Sequence, residues 1–68
     1  MEGRLVTKIR ELRTSFSMSQ EELAEKVGVR RETITRLEKG LYNPSLKLAM
    51  DIANVFGKTV EDVFWFET

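Results

Sequence analysis

Three arginines near the middle of the chain carry the side chains best suited to binding chemistry. Arg30, Arg31 and Arg36 are accompanied by Glu32. A guanidinium group presents its N–H donors as a planar fork, which matches a phosphate or two adjacent acceptors on one molecule. Arg30 and Arg31 would also stand at the positive end of a helix, where a bound anion relieves the conflict of charge. The alternative is that both are solvated and only cover apolar surface with their stems.

The composition argues against catalysis and against metal binding. The 68 residues include no cysteine and no histidine, so thiol and imidazole nucleophiles, bases and metal ligands are missing. No spacing of carboxylates and hydroxyls suggests a cleft, and no glycine-rich phosphate loop is present. We therefore expect a protein that is not an enzyme and that has no cofactor and no metal. We expect no small-molecule effector, because a single small domain leaves no second domain to bind one.

Length and hydropathy predict one small domain over residues 1–68. Apolar residues make up 41% of the chain and charged residues 32%, as in soluble folded proteins. No stretch resembles a membrane span or a signal peptide, so we expect a cytoplasmic protein that does not bind membranes. A core of this size gives little stability by itself, which favours association with a second chain.

Two short helices that meet at Gly28 must position the arginines. Ser19, followed three residues later by Glu22, predicts a capping box at the start of the first helix. Gly28 suits the left-handed position that ends it. The second helix, over about 31–39, turns Ile34 and Leu37 inward. It leaves outside the polar residues Arg31, Glu32, Thr35, Arg36 and Lys39. Such a pair is typical of the helix-turn-helix, whose second helix reads the major groove of DNA.

These motifs together resemble the Cro and lambda-repressor type of helix-turn-helix regulator, an XRE-like family. The resemblance covers nearly the whole chain and rests on Ser19-Gln20-Glu21-Glu22-Leu23-Ala24, Gly28-Val29, Thr33-Ile34, Leu37-Glu38-Lys39-Gly40 and Asn43-Pro44-Ser45-Leu46. It implies an all-α fold, a five-helix lambda-repressor-like DNA-binding domain with its helix-turn-helix at about 19–39. A short apolar C-terminal extension follows this domain.

The resemblance also implies particular contacts to DNA. The base-reading positions of the family correspond to Arg31, Glu32 and Arg36, and arginine suits guanine while glutamate can accept from cytosine. Glu32 and Arg36 are also four residues apart, so the alternative is that they only hold each other. Contacts to backbone phosphates are expected from Gln20, Arg30, Thr33 and Asn43. The family commonly has a small hydroxyl residue at the position of Arg30, and arginine cannot accept an N–H as serine does.

The first helix is predicted from Arg4 to Ser15, because Leu5, Ile9, Leu12 and Phe16 recur at helical spacing. In the family, an arginine of this helix pairs with a glutamate of the recognition helix, which implies an ion pair between Arg13 and Glu38. The alternative is that both are ordinary surface charges.

Two further helices and an apolar end complete the chain. Ser45 is expected to cap a helix over 46–56 with a broad apolar surface, and Thr59 with Asp62 predicts the start of a short fifth helix. Phe64, Trp65 and Phe66 then stand close together. We interpret them as a dimer interface. The alternative is a lid folded over the first or fourth helix.

The net charge is zero but it is unevenly distributed. Residues 30–39 have four cations against two carboxylates, whereas residues 51–68 have one cation against four carboxylates. The sequence thus favours a DNA-binding transcriptional regulator, a repressor that binds an inverted-repeat operator as a homodimer. One alternative is an antitoxin-type protein that binds a partner toxin and represses its own promoter. Another is a helix-turn-helix used only for protein interactions.

Overall fold

The computed structural model describes residues 3–68, which form five helices and a two-stranded sheet. The order is β1 (Arg4–Thr7), α1 (Ile9–Ser15), α2 (Gln20–Val27), α3 (Arg31–Glu38), α4 (Leu46–Val55), α5 (Val60–Val63) and β2 (Phe64–Glu67). The predicted five-helix, lambda-repressor-like fold is confirmed, with a small sheet added. The single domain predicted over 1–68 includes residues 1 and 2, which lie outside the described residues.

Local signals in the sequence set the starts of three helices. Ser19 and Glu22 form the predicted capping box of α2, and Thr59 and Asp62 form that of α5. The Ser45 hydroxyl accepts from the Leu48 N–H at the start of α4. Each cap satisfies N–H groups that have no partner inside the helix, so these boundaries depend on neighbouring residues alone.

The prediction of a helix from Arg4 to Ser15 was wrong over its first turn. Residues Arg4–Thr7 form a strand that pairs antiparallel with β2, with Leu5 opposite Phe66 and Thr7 opposite Phe64. Leu5 is buried, as the apolar stripe required, but it reaches the core from a strand. The partner strand lies some sixty residues away in sequence, so helical spacing misled the local prediction.

The apolar C-terminal extension is strand β2, and its three aromatic residues have different surroundings. Phe64 belongs to the core with 7% of its surface exposed, whereas Phe66 is 57% exposed. Trp65 is half-buried, with Lys8 Nζ 5.9 Å from its ring centroid. The extension is therefore a structural part of the domain, paired with its N-terminal strand.

All five helices contribute to one core. The largest fully buried side chains are Ile9, Leu23, Ile34, Leu37, Ile52 and Val63. At the end of α1, Phe16 packs edge-on against Phe56 with 5.3 Å between ring centroids. In the part of the chain that the structure describes, no helix has the length and hydropathy to cross a membrane.

Candidate nucleic-acid interface

A tight corner joins α2 to α3 and fixes how α3 is presented. Gly28 adopts φ 74° and ψ 33° after the last turn of α2, and the Val29 N–H then donates to the Ala24 carbonyl at 3.0 Å. Beyond the corner, Ile34 and Leu37 of α3 are completely buried. Because these two side chains fix one face of α3 against the core, the opposite face is held outward.

The outward face of α3 carries the predicted base-reading residues. Arg31, Glu32 and Arg36 are exposed, and together with Thr35 they line one shallow depression. Among residues 3–68, no ion pair joins Glu32 to Arg36. Their charged groups therefore remain available to a ligand, whereas a mutual pair would have neutralised this face.

Arg30 begins α3 without capping it. Its backbone is extended, with φ −81° and ψ 154°, and its side chain makes no capping hydrogen bond. Its carbonyl accepts from the Thr33 N–H at 3.0 Å. The start of α3 thus combines free helical N–H groups with two exposed guanidinium groups, an arrangement that attracts phosphate.

Arg13 and Glu38, which the resemblance pairs, are in direct contact between α1 and α3. Arg13 Nε lies 2.6 Å from Glu38 Oε2, and Nη2 lies 3.2 Å from Oε1. Arg13 Nη1 also donates to the Met18 carbonyl at 2.9 Å, in the connection between α1 and α2. One arginine therefore ties together the first helix, the following loop and the end of α3.

Gln20 links α2 to α3 through both ends of its amide. Its Nε2 donates to Glu38 Oε1 at 3.1 Å, and its Oε1 accepts from the Thr35 hydroxyl at 3.2 Å. Sequence analysis expected a phosphate contact from Gln20 and an outward position for Thr35, and it missed this positioning role. One Nε2–H of Gln20 remains for a phosphate, since a primary amide has two donors.

The remaining predicted phosphate residues lie within α3 and in the loop that follows it. Thr33 is half-buried and lines a depression with Arg36 and Tyr42, and Asn43 is exposed in the loop after α3. A further depression brings Arg10 and Lys39 beside Gln20. Sequence analysis gave Arg10 no role, although its place three residues before Arg13 puts both on one side of α1.

Gly40 ends α3 close to the backbone of β1. It has φ 71°, and a Cβ built on it would lie only 2.5 Å from the Leu5 carbonyl oxygen. The strand that sequence analysis missed therefore supports the end of α3.

Within residues 3–68, no group of three or more acidic side chains is arranged so that it could hold a metal ion. Two carboxylates with a lowered pKa belong to the capping boxes of α2 and α5. Hydrogen bonds from the Ser19 N–H and hydroxyl lower the pKa of Glu22 below its ordinary value of 4.5. The Thr59 N–H and hydroxyl similarly lower the pKa of Asp62.

Sequence comparison settles the family. The profile of the helix-turn-helix family matches residues 9–63, which include every helix described above. The chain belongs to the helix-turn-helix transcriptional regulators. This regulator is 64% identical over 61 residues to an uncharacterized HTH-type transcriptional regulator of Archaeoglobus fulgidus, covering 90% of this chain and 86% of that protein. It is 33% identical over 57 residues to the cryptic phage CTXphi transcriptional repressor RstR of Vibrio cholerae, covering 84% of this chain and 51% of RstR.

Solved structures agree with this assignment. The regulator matches the restriction-modification controller protein C.AhdI of Aeromonas hydrophila with a TM-score of 0.74 and 33% identity, covering 81% of this chain and 83% of that one. It also matches the clp gene regulator ClgR of Corynebacterium glutamicum with a TM-score of 0.73 and 28% identity. That match covers 79% of this chain but only 57% of the ClgR chain.

Proposed function

We propose that this regulator represses transcription by binding an inverted-repeat operator in double-stranded DNA as a homodimer. The observation that carries the proposal is the exposed face of α3, where Arg31, Glu32 and Arg36 stand clear of the protein. Arginine can donate to O6 and N7 of guanine, and a carboxylate can accept from N4 of cytosine. A helix with such a face fits the major groove.

The support beneath α3 favours recognition by a rigid element. Ile34 and Leu37 anchor its inner face, and Gln20 and Arg13 hold Glu38 at its end. A binding helix that is ordered before contact loses little conformational freedom on binding, so more of the contact energy remains as affinity.

Groups beside α3 are suited to contacts with the sugar–phosphate backbone. Arg30 precedes α3, Thr33 lies within it and Asn43 follows it. The free Nε2–H of Gln20 lies at the start of α2. Arg10 and Lys39 add positive charge beside them. Such contacts set the register of a protein on the duplex and carry no sequence information directly, leaving base choice to α3.

The uneven distribution of charge along the chain is consistent with DNA binding at α3. The four carboxylates of residues 51–68 come after α3 in the chain, and two of them lie in α5, away from the arginine-bearing helix in sequence. A neutral protein can attract DNA through one basic surface, provided its acidic groups lie elsewhere.

The small size of the domain and its apolar end support two-fold binding. One recognition helix contacts only a few base pairs, whereas two copies contact half-sites about 34 to 36 Å apart. Phe66 and the half-buried Trp65, next to the buried Phe64, would form part of the contact between copies. The likeness to RstR supports repression.

Selection of bound duplexes from a random DNA library tests the proposal. The expected result is an enriched inverted repeat whose half-site centres are about one helical turn apart. Failure to enrich any sequence would contradict DNA recognition. Enrichment of a lone half-site would contradict binding as a homodimer.

A further inference from the structure

The outer edge of β2 carries backbone groups that point away from β1. The Lys8 N–H donates to the Val63 carbonyl at 2.9 Å, in the same register that pairs Val6 with Trp65 and Arg4 with Glu67. In an antiparallel ladder, hydrogen-bonded pairs alternate with pairs whose N–H and C=O groups point outward. Phe64 and Phe66 are therefore the residues of β2 whose backbone groups face the open edge.

The two edges of the sheet differ in how they are covered. On β1, the end of α3 at Gly40 approaches the Leu5 carbonyl. On β2, the Phe64 N–H donates to the Val60 carbonyl of α5. Three other outward groups of β2 have no backbone partner within residues 3–68. They are the Phe64 carbonyl and the N–H and carbonyl of Phe66. An edge of this kind is a template for another strand.

We infer that β2 pairs antiparallel with β2 of a second copy of this chain, with Phe66 opposite Phe66 of the second copy on the two-fold axis. The Phe66 N–H of each copy donates to the Phe66 carbonyl of the other, so the arrangement is self-complementary. The same register places Thr68 opposite Phe64, and the Thr68 N–H donates to the free Phe64 carbonyl. The result is a continuous four-stranded sheet in the order β1-β2-β2-β1.

This register joins the two copies through four hydrogen bonds that use the free groups of Phe64 and Phe66, and it breaks no existing bond. A two-residue shift that places Phe64 opposite Phe66 of the second copy forms only two of these bonds, because the Phe64 N–H already donates to Val60 and cannot donate to Phe66. The opposite shift, which places Phe66 opposite Thr68, brings the two Glu67 carboxylates opposite each other at the axis, where like charges repel. A one-residue shift places Phe66 opposite Trp65 or Glu67, whose backbone groups point toward β1 and cannot bond to the second copy.

The side chains at the axis fit the same arrangement. Phe66 shares the core-facing side of the sheet with Leu5 and Phe64, yet it is 57% exposed. Pairing about the axis brings the two Phe66 rings together and extends the core across both copies. On the opposite side, Arg4 Nη2 holds Glu67 Oε1 at 3.0 Å and offsets its charge near the axis.

This inference rests on the homodimer of the proposed function and specifies how it assembles. Because the natural chain has no cysteine, Phe66→Cys introduces a single thiol on the axis. Hydrogen-bonded partners have Cα atoms about 5.5 Å apart, which suits a disulfide. Under mild oxidation, Phe66→Cys should form a covalent dimer at least about tenfold faster than Leu46→Cys, a control site on α4 that is 72% exposed.

Proline and alanine at position 66 separate edge pairing from side-chain contact. Phe66→Pro removes the outward N–H and leaves the bonds between β1 and β2 intact, whereas Phe66→Ala removes only the ring. Sedimentation should show that proline raises the dimer dissociation constant about tenfold or more above that of the alanine variant, since two hydrogen bonds are lost per dimer. Circular dichroism checks that both variants fold, and the cysteine comparison stands if proline prevents folding.

Each contrary result has a distinct meaning. Cross-linking of Phe66→Cys no faster than Leu46→Cys, in a protein that is dimeric and binds DNA, would overturn edge pairing alone. The same holds if Leu46→Ala with Met50→Ala gives monomers while Phe66→Pro leaves the dimer intact. A natural protein that sediments as a monomer would overturn both this inference and the homodimer, while the DNA selection would still test recognition.

Discussion

Arg13 Nε lies 2.6 Å from Glu38 Oε2, and the two side chains are only 13% and 8% exposed. Glu38 also accepts from Gln20, and Arg13 donates to the Met18 carbonyl, so both charges are hydrogen-bonded where water has little access. The pair connects α1 to the end of α3. Its integrity is therefore linked to the orientation of α3.

Removing one member of this pair should strongly destabilise the fold. Arg13→Ala leaves the Glu38 carboxylate buried without its cation, and we expect the free energy of unfolding to fall by about 3 to 5 kcal/mol. Lys47→Ala is the control, because Lys47 is 85% exposed in its ion pair with Asp51 and should contribute about 0 to 1 kcal/mol. Urea unfolding measures both. Equal losses in the two variants would show that the buried pair has no special role.

Gly40 should tolerate substitution less well than the other glycines with positive φ. Gly28 and Gly57 have φ 74° and 66° with open space at the Cβ position, whereas a Cβ on Gly40 meets the Leu5 carbonyl oxygen at 2.5 Å. Gly28→Ala should cost about 1 to 2 kcal/mol from backbone strain alone. Gly40→Ala should cost more, because β1 or α3 must also move. Thermal unfolding of the three alanine variants would show equal losses if this close approach were unimportant.

The capping boxes predict a specific dependence of stability on acid pH. The pKa of Glu22 is lower in the folded chain than its ordinary 4.5, and that of Asp62 is lower than its ordinary 3.8. A lowered carboxyl pKa stabilises the fold above the unfolded value, and this contribution disappears as pH falls through the folded value. The free energy of unfolding should thus decrease as pH drops below about 4.5.

Neutral variants test this pH dependence. Glu22→Gln should flatten the decline and reduce stability near neutral pH, because the Ser19 N–H loses its charged acceptor. Glu21→Gln, in the same first turn of α2, is the matched control and should retain the Glu22-dependent decline. Urea titrations between pH 2 and about 7 provide the measurement. A slope that Glu22→Gln leaves unchanged would contradict the cause given for the shift.

Sequence reasoning succeeded where neighbouring residues determine the structure. The starts of α2 and α5 are indicated by pairs of side chains three residues apart, Ser19 with Glu22 and Thr59 with Asp62. Gly28 indicates the corner after α2 independently of the rest of the chain. The exposed arginine face also followed from periodicity, since burying Ile34 and Leu37 leaves Arg31 and Arg36 outside.

It failed where the determining contact is distant in sequence. The pairing of Leu5 with Phe66 has no local signal, so helical spacing wrongly predicts the first turn of α1 where β1 lies. The bonds of Gln20 to Thr35 and Glu38 depend on the angle between two helices, which no sequence spacing specifies. The base and phosphate contacts remain predictions.

Glu32 should influence which base pair is preferred. If its carboxylate accepts from cytosine, selection with Glu32→Ala should change the preferred base at one position of each half-site. Glu25→Ala is the control, because Glu25 is exposed on α2 and has no assigned contact. Selected sequences identical to those of the natural protein would show that Glu32 does not read a base.

The affinity of arginine variants for the selected operator tests the central claim most directly. Arg31→Ala and Arg36→Ala should each weaken specific binding by about 1 to 3 kcal/mol, if each guanidinium contacts a base. Lys58→Ala, which removes an exposed cation after α4, should bind as the natural protein does. All variants are compared at one salt concentration, after unfolding curves confirm that they are folded. Operator affinities unchanged in both arginine variants would contradict the assignment of α3 as the helix that reads DNA.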